Sequence, residues 1–423
     1  MNTERQQEDM VMGDILIHAA NETEYYQKYF SAREGQKDNY ELAEFPFLTR
    51  QTVQRERSRF LGGRYQRHPD IEYLLMKRSF GISGSPMEVY WDSRDEVNSQ
   101  TGLWEYRKER FHITADDKCC VFRTAEYAGN KIMDDMPKRL SRDGKILSFT
   151  MQDLSADRLQ WCLDTINEFN PVWMCLPPGV ALMMAESMEA KEQSPPPGLR
   201  YIELCGEMLD AQMETIIREA FHVQTGNVYV TEAAGAVAAS CTYGHLHIFP
   251  ENAAVEIIQD GRSTRNEEGD IYITSLQNTA MPLIRLETGD RGALLDISCP
   301  CGQTAPVLRL NRGRKCSFIT TASGRKVSAG VLRSLAEYTN EEVSRCLAHI
   351  QFRQVDCHHM EVVLGVKPAF SGWEKEASRV FLEKIHDPEL KQMQWEFTFA
   401  KPCEPGGSKM DAQPFFEPLE GGE

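Results

Sequence analysis

Strand-like and helical segments alternate between residues 111 and 235, and this alternation constrains the fold more than any other feature of the sequence. CCVFRTAE (119–126) is typical of a strand, DLSADRLQWCLDTIN (153–167) of a helix with an apolar stripe, and YIELCGEML (201–209) of a buried strand. Residues 180–189 and 210–221 are typical of further helices, and residues 226–235 of a further strand. The alternation therefore predicts a layered α/β fold.

The composition changes after residue 313, which predicts a second domain. A helix over 328–338, a strand pair over 347–367, a helix over 373–385 and a last strand over 393–401 are typical of a small α+β module. The module ends in PCEPGGSKMDAQ, a Gly-rich segment with one lysine, Lys409. We predict a large multi-layer α/β domain over residues 1–313 and a small, mobile α+β lid over residues 314–423.

Charge and hydropathy exclude several classes of protein. A formal charge of −16 argues against nucleic-acid or anionic-membrane partners, because phosphate binding needs a positive surface. MNTERQQEDM is acidic where a secretion signal would be basic and then apolar. The most apolar stretch, 171–185, is too short to span a bilayer. We therefore expect a cytoplasmic protein. The helical segment 9–33 should pack on the core or on a partner subunit, as in a homodimer.

The segment GDIYITSLQNTAMPLIRLETGDR (269–291) predicts a strand, a turn and a second strand that begins after Pro282. Gly289 should turn the chain sharply, so that Asp290 points outward from the sheet edge. A carboxylate in this position can bind a diol or simply cap a turn. Glu207 and Glu232 also follow predicted strands, and functional groups gather at the carboxyl ends of strands in α/β proteins. We expect the three carboxylates to share one rim.

The segment SFGISGSP (79–86) is a loop rich in glycine and hydroxyl residues. Such a loop can present backbone N–H groups to phosphate oxygens, because Gly81 and Gly84 lack the Cβ atoms that would block close approach. It is not a Walker-type loop, since no Gly-Lys-Ser/Thr follows. The alternative is an ordinary surface turn.

Cysteine and histidine residues in two loops suggest a metal site. Cys241 opens CTYGHLH, which also contains His245 and His247, and the later CPC supplies Cys299 and Cys301. Three cysteines and one histidine can form a closed tetrahedral zinc site, although C-x-C is tighter than the usual spacing. The alternative is four separate buried residues. The other cysteines are expected to be buried small hydrophobes rather than disulfides.

Taken together, these segments resemble the adenylate-forming (acyl-CoA synthetase-like) superfamily and, within it, the phenylacetate-CoA ligase-like branch. The resemblance covers nearly the whole chain. FPFLTR (45–50) resembles an FPFTTK-type signature, ELCGE (203–207) a GGE motif and VYVTE (228–232) a YGxTE motif. SFGISGSP resembles the phosphate loop, and GGSKM (406–410) the terminal Ser-Gly-Lys. The segments 269–290 and 299–314 are similar to the family over longer stretches.

The resemblance implies an enzyme that uses ATP to activate a carboxylic acid as an acyl-adenylate, with release of pyrophosphate, and then transfers the acyl group to a thiol. Coenzyme A is the default acceptor, and the phosphopantetheine arm of a carrier protein is the alternative. An aryl or arylacetic acid follows only from the resemblance. From a different class, the chain could be a catalytically degenerate, zinc-stabilised binding protein.

The resemblance also implies roles for individual residues. Asp290 would bind the ATP ribose hydroxyls with help from Arg314, and Lys409 would bridge the acyl carboxylate and the α-phosphate. Glu232, next to Thr231, would hold Mg²⁺. The remaining positions are the phosphate loop (Ser79, Gly81, Ser83, Gly84), the nucleotide wall (Gly206, Glu207, Tyr229), the acyl pocket (Pro177, Cys205, Ala233, Ala234, Gly235) and a structural zinc site (Cys241, His247, Cys299, Cys301). Within that zinc site, the resemblance favours His247 over His245.

The chain departs from the family pattern at several positions. Phe80 and Ile82 replace hydroxyl residues of the phosphate loop, Val228-Tyr229 replaces Tyr-Gly, and Ser317 stands near the usual hinge carboxylate. These departures point to an altered nucleotide site or hinge, or to a degenerate enzyme. Retention of the four charged residues of the nucleotide and lysine motifs favours activity: Glu232, Asp290, Arg314 and Lys409.

Overall fold

The structure is a computed structural model that describes residues 2–31, 39–67, 74–79, 84–125, 127–128, 131–132, 137–312, 317–404 and 414–419. The chain forms two compact units, each described by itself below. Unit 1 comprises Met1–Ser79, Met87–Arg107 and Val228–Gly313, and unit 2 comprises Phe80–Pro86, Lys108–Asn227 and Arg314–Glu423. One unit boundary thus falls between residues 313 and 314. Residues 314–423 are grouped with residues 80–86 and 108–227.

Most helices follow the predicted pattern within a few residues, but the helical segment predicted over 9–33 forms two helices that cover residues 2–31. The segment predicted over 153–167 begins at Ala156, because the Ser155 hydroxyl caps it by accepting a hydrogen bond from the Arg158 N–H. No helix in the described parts of the chain is long and apolar enough to cross a membrane. The helices are α1 (Asn2–Glu22), α2 (Glu24–Ser31), α3 (Arg50–Arg55), α4 (Gly63–Arg67), α5 (Ser93–Asn98), α6 (Thr101–Phe111), α7 (Ala156–Phe169), α8 (Pro178–Ala190), α9 (Ala211–Phe221), α10 (Gly330–Glu342), α11 (Glu374–Glu383) and α12 (Pro388–Gln392).

The strands are short and numerous, as expected for a mixed α/β chain. They are β1 (Leu74–Ser79), β2 (Met87–Asp92), β3 (Cys119–Arg123), β4 (Tyr127–Ala128), β5 (Lys131–Ile132), β6 (Lys138–Leu140), β7 (Ile146–Thr150), β8 (Trp173–Leu176), β9 (Tyr201–Cys205), β10 (Gln224–Thr231), β11 (Gly235–Ser240), β12 (Leu246–Ile248), β13 (Ala253–Gln259), β14 (Arg262–Thr264), β15 (Gly269–Ser275), β16 (Leu286–Leu295), β17 (Val307–Arg312), β18 (Phe318–Thr320), β19 (Lys326–Ser328), β20 (Leu347–Asp356), β21 (His359–Val366), β22 (Gln394–Phe399) and β23 (Phe416–Glu417).

The sheet of unit 2 is built from strands in the order β9-β8-β3-β7-β6. The first four pair in parallel and β6 is antiparallel to β7. Helices α7 and α8 follow β7 and β8 along the chain, which is the βαβ connection that parallel pairing requires. The predicted α/β fold is confirmed.

The C-terminal part of unit 2 forms a four-stranded sheet in the order β22-β21-β20-β23. Its strands and α10 share one hydrophobic core with α7, α8 and the parallel sheet. Arg325 adds polar contacts, because its guanidinium donates to the Leu154 carbonyl at 2.9 Å and pairs with Asp387 and Glu389. Residues 317–404 are therefore packed firmly against the rest of unit 2, and their movement as a lid stays a prediction.

Unit 1 contains an antiparallel series of strands in the order β14-β13-β15-β16-β17-β12-β11-β10. Part of the sequence-based expectation fails here, because residues 281–285 are irregular and β16 begins only at Leu286. Arg285 has a positive φ of 55°. Its buried guanidinium makes two 2.9 Å bonds to Glu256 and stacks 3.9 Å from the Phe47 ring centre. These distant partners stabilise a backbone conformation that interrupts the predicted strand.

The same region anchors the FPFLTR segment. The Leu48 N–H donates to the Arg285 carbonyl and the Glu287 N–H donates to the Leu48 carbonyl, both at 2.8 Å. Leu48 forms a parallel bridge with Leu286 at the start of β16. The N-terminal signature is thereby attached to the strand that carries Asp290.

Candidate active site and metal cluster

Asp290 lies inside strand β16 and not in a turn beyond it, which corrects the sequence-based expectation. Asp270 pairs with Arg291 and Tyr272 with Glu287, so residues 288–290 oppose the single residue Ile271. This is a β-bulge, and Gly289 occupies it with a φ of 85°. The Thr288 hydroxyl accepts from the Asp290 N–H and donates to the Ile271 carbonyl, both at 3.0 Å.

The bulge directs the Asp290 carboxylate towards strand β10. The Tyr229 hydroxyl donates to Asp290 Oδ2 at 2.7 Å, and Asp290 as a whole is only 9% exposed. Short hydrogen bonds from a hydroxyl to a carboxylate are strong ones. The structure therefore brings together two of the residues assigned to the nucleotide, Tyr229 and Asp290.

Thr231 and Glu232 lie where β10 ends. The Thr231 hydroxyl accepts from the Ala234 N–H at 3.1 Å, which closes the turn into β11. The Trp91 indole N–H donates to the Glu232 carbonyl at 2.8 Å, and this fixes the backbone of Glu232. Its half-buried carboxylate makes no hydrogen bond or ion pair with any residue that the structure describes. The side chain is therefore available to a metal ion or a substrate.

The residues that follow Glu232 are packed in the core of unit 1. Ala233 and Ala234 are buried in its hydrophobic core, and Gly235 begins β11. A Cβ atom at Gly235 would come within 3.1 Å of the Ser99 hydroxyl. Small residues are thus required here by packing, whether or not they also line an acyl pocket.

The predicted residues of unit 2 surround the N-terminus of α8. Pro177 is the N-cap residue of that helix, and Glu207 Oε2 accepts from the Gly179 N–H at 3.0 Å. Gly206 follows β9 directly, and the Cys205 sulfur lies 3.7 Å from the Cys175 sulfur on the adjacent strand. The Glu207 carboxylate thus binds a helix N-terminus, where a negative charge is stabilised.

Four of the predicted residues fall outside the described residues: Gly81, Ser83, Arg314 and Lys409. Ser79 is the last residue of β1, and only its backbone is described. Gly84 is described, and its carbonyl accepts from the Ile350 N–H at 3.1 Å. Sequence reasoning missed this contact because Ile350 is an ordinary apolar strand residue.

The predicted metal ligands lie together in unit 1. One ligand atom from each of Cys241, His247, Cys299 and Cys301 falls within 4.8 Å of all the others. The Cys241 and Cys299 sulfurs are 3.6 Å apart, and Cys301 Sγ is 3.3 Å from His247 Nε2. Ligands of tetrahedral zinc, with bonds of about 2.0–2.3 Å, are separated by about 3.5–3.8 Å. The donor set and its spacing fit zinc.

The surroundings of this cluster also fit a metal site. His247 Nδ1 donates to the Ala305 carbonyl at 3.0 Å, which directs Nε2 towards the cysteines. Backbone N–H groups of Tyr243 and Gln303 point at the sulfurs of Cys241 and Cys301 at 3.4 and 3.5 Å. His245 lies outside the group of four, yet its Nδ1 is 3.2 Å from the Cys299 sulfur.

The cluster joins two loops of the antiparallel sheet. Cys241 lies between β11 and β12, and Cys299 and Cys301 lie between β16 and β17. Since β12 pairs with β17, a bound metal would connect the ends of neighbouring hairpins. One of these hairpins contains the strand that bears Asp290.

No protein-family model matches the chain. A curated phenylacetate-coenzyme A ligase from Thermus thermophilus is 26% identical over 166 residues, and this chain spans 37% of its length. The solved structure of 2-hydroxyisobutyryl-CoA ligase with 2-HIB-AMP and CoA, in the thioesterification state, matches with a TM-score of 0.61 at 15% identity, over 98% of this chain and 90% of that one. The same enzyme in the post-adenylation state with R3-HIB-AMP matches with a TM-score of 0.53 at 14% identity, over 92% and 85%. At these identities the likeness concerns the fold.

Proposed function

We propose that this chain, whose fold is that of the adenylate-forming acyl-CoA ligases, activates a small carboxylic acid with ATP and transfers the acyl group to coenzyme A. The observation that carries the proposal is the bulge in β16, which holds the buried Asp290 carboxylate 2.7 Å from the Tyr229 hydroxyl. A carboxylate fixed in this way can bind the two adjacent hydroxyls of a ribose. The acyl-adenylate and CoA bound in the solved ligase support the two steps proposed here.

In the first step, an oxygen of the acid attacks the α-phosphorus of ATP, and the bond to pyrophosphate breaks. The negatively charged carboxylate approaches the negatively charged α-phosphate, so the reaction needs positive charge where negative charge builds up. Mg²⁺ would supply part of this charge, and Glu232 would hold it. Lys409 would supply the rest, on the strength of the family resemblance. Asp290 binds the ribose and fixes the α-phosphorus relative to the acid.

In the second step, the sulfur of coenzyme A attacks the acyl carbon, the thiol proton is lost, and AMP leaves. We propose an aryl or arylacetic acid as the substrate, since the curated relative is a phenylacetate-coenzyme A ligase. Pro177, Cys205, Ala233, Ala234 and Gly235 are the residues we assign to the acyl group. The acid named in the structural neighbours, 2-hydroxyisobutyrate, belongs in the same substrate panel.

We further propose that zinc occupies the Cys₃His cluster and is structural. With four protein ligands the ion has no open position for water, so it would stabilise the two loops and not activate a nucleophile. The thiolates would be stabilised by the ion and by the backbone N–H groups that face them.

The test is ATP–pyrophosphate exchange with a panel of aryl, arylacetic and short aliphatic acids, followed by thioester formation with coenzyme A. We expect exchange with at least one acid, and loss of exchange in Asp290→Ala. A lack of exchange with every acid, despite measurable ATP binding, would instead support a degenerate binding protein. Exchange without a coenzyme A thioester would point to a carrier-protein acceptor. A homodimer and a cytoplasmic location stay predictions, and the first is checked by light scattering.

A further inference from the structure

The outer edge of β20, opposite the edge that pairs with β21, binds two segments that are far apart in the sequence. The Ile350 N–H donates to the Gly84 carbonyl at 3.1 Å, and the Phe352 N–H donates to the Phe415 carbonyl at 2.9 Å. β23 then continues in parallel register, with Phe352 opposite Phe416. One strand edge therefore binds both the end of the predicted phosphate loop and the strand that follows the Lys409 segment.

No residue other than glycine fits at position 84 unless the backbone of this segment or of β20 moves. Its φ is 78°, a conformation that side chains disfavour. A Cβ atom would lie 2.0 Å from the Ile350 carbonyl oxygen and 3.0 Å from its carbonyl carbon. Because both atoms belong to the backbone of a strand, they cannot rotate away. Glycine is thus required here for contact with β20, in addition to its predicted role beside phosphate.

The second anchor, the contact between Phe415 and the β20 edge, is stabilised by the burial of the Phe415 side chain. Phe415 is 2% exposed, and its ring meets the Phe352 ring edge to face, with the centroids 5.2 Å apart. The Arg333 guanidinium lies 4.6 Å from the centre of the same ring. Aromatic packing and the charge over the ring together stabilise the position of residues 414–419.

We propose that the outer edge of β20 is a positioning strip that holds Gly84, where the predicted phosphate loop ends, beside residues 414–419, which follow Lys409 in the sequence. Ile350 and Phe352 are two residues apart on one strand, which is about 7 Å. Five residues of chain lead from Lys409 to Pro414 and can span at most about 18 Å. The contact at Phe415 is therefore the one whose loss should affect the proposed role of Lys409. The inference rests on the proposed function, because only adenylation requires both segments at one phosphate.

Hydrogen exchange tests the strip without any need for catalysis. Gly84→Ala should make the Ile350 amide exchange at least tenfold faster and should also raise exchange at Phe352. Gly144→Ala is the matched control, because Gly144 has a φ of 72° but a Cβ atom added there would have no neighbour within 4 Å. It should leave both amides unchanged. Retained protection of Ile350 in Gly84→Ala would overturn the proposal, and exchange in β8 serves as the check that the unit remains folded.

The second test is kinetic and leaves Lys409 in place. Phe415→Ala releases β23, so kcat for pyrophosphate exchange should fall at least tenfold while KM for ATP changes less than twofold. A kcat equal to that of the wild type would refute positioning by the strip. If the wild type shows no exchange with any acid, the proposed function fails, whereas the hydrogen-exchange result still decides whether the strip exists.

Discussion

The bond between Tyr229 and Asp290 gives the sharpest prediction. Tyr229→Phe removes the hydroxyl that donates to Asp290 Oδ2 at 2.7 Å and keeps the aromatic ring. Asp290 is only 9% exposed, so water replaces the lost donor poorly. A hydrogen bond to a charged group contributes about 1.5–3 kcal/mol, and we expect Tyr229→Phe to lower the free energy of unfolding by about 2 kcal/mol.

The same geometry predicts the effect on nucleotide binding. Asp290→Ala removes a charged acceptor for a ribose hydroxyl, which should cost about 1.5–3 kcal/mol of binding free energy, or about 10- to 150-fold in Kd for ATP. Tyr229→Phe leaves the carboxylate present but less firmly oriented, so its effect on Kd should be smaller. Titration calorimetry with ATP measures both changes.

A double-mutant cycle with Asp290→Asn tests whether the two residues act together. Urea unfolding of both single variants and the double variant should give a coupling energy of about 1–2 kcal/mol, since the neutral amide keeps only part of the bond. Additive effects, with a coupling below about 0.5 kcal/mol, would refute the reasoning. The control is Asp270→Asn on β15, because Asp270 is 48% exposed and pairs with Arg291 on the surface. It should change stability by less than about 1 kcal/mol and leave ATP binding unaltered.

Three further predictions concern the metal, the lysine and the C-terminal module. Elemental analysis should find zinc in the wild type and in Cys162→Ser, a variant of a buried cysteine, but not in Cys299→Ser. Equal zinc in both variants would exclude zinc binding by the Cys₃His cluster. Lys409→Ala should lower the pyrophosphate exchange rate about 100- to 1,000-fold with ATP binding retained, and an unchanged rate would contradict the assignment. Arg325→Ala deprives the fully buried Asp387 of its cation, so urea unfolding should show a loss of about 3–5 kcal/mol; a loss below about 1 kcal/mol would show that the pair is unimportant.

Much of the fold could be predicted because it is encoded by local periodicity. Strands β3, β9 and β10 and helices α7 and α9 fall within a few residues of their predicted positions. In each of these segments the spacing of the apolar residues fits either a strand or a helix, but not both. Ser155 and Asp210 also cap the two helices through their own side chains. The grouping of Cys241, His247, Cys299 and Cys301 was also predictable, because the residue types that can bind zinc are few.

Other features depend on partners more than two hundred residues away. The left-handed backbone at Arg285 is stabilised partly by Phe47, and the end of the predicted phosphate loop is held by Ile350. No local pattern contains either contact. The local sequence also does not show that apolar residues of α10, α11 and β20–β21 are buried in a core shared with α7 and α8.

By itself, the sequence determined which segments form strands and helices and which residue types could bind a nucleotide or a metal. Only the tertiary structure decided how Asp290 is presented. The sequence predicts a turn at Thr288, Gly289 and Asp290, because a glycine between polar residues usually forms one. Pairing with β15 converts them into a bulge inside a strand, and the bulge aims the carboxylate at Tyr229. The physical reason is that a bulge exists only relative to a partner strand, and the partner is chosen by the folding of the whole sheet.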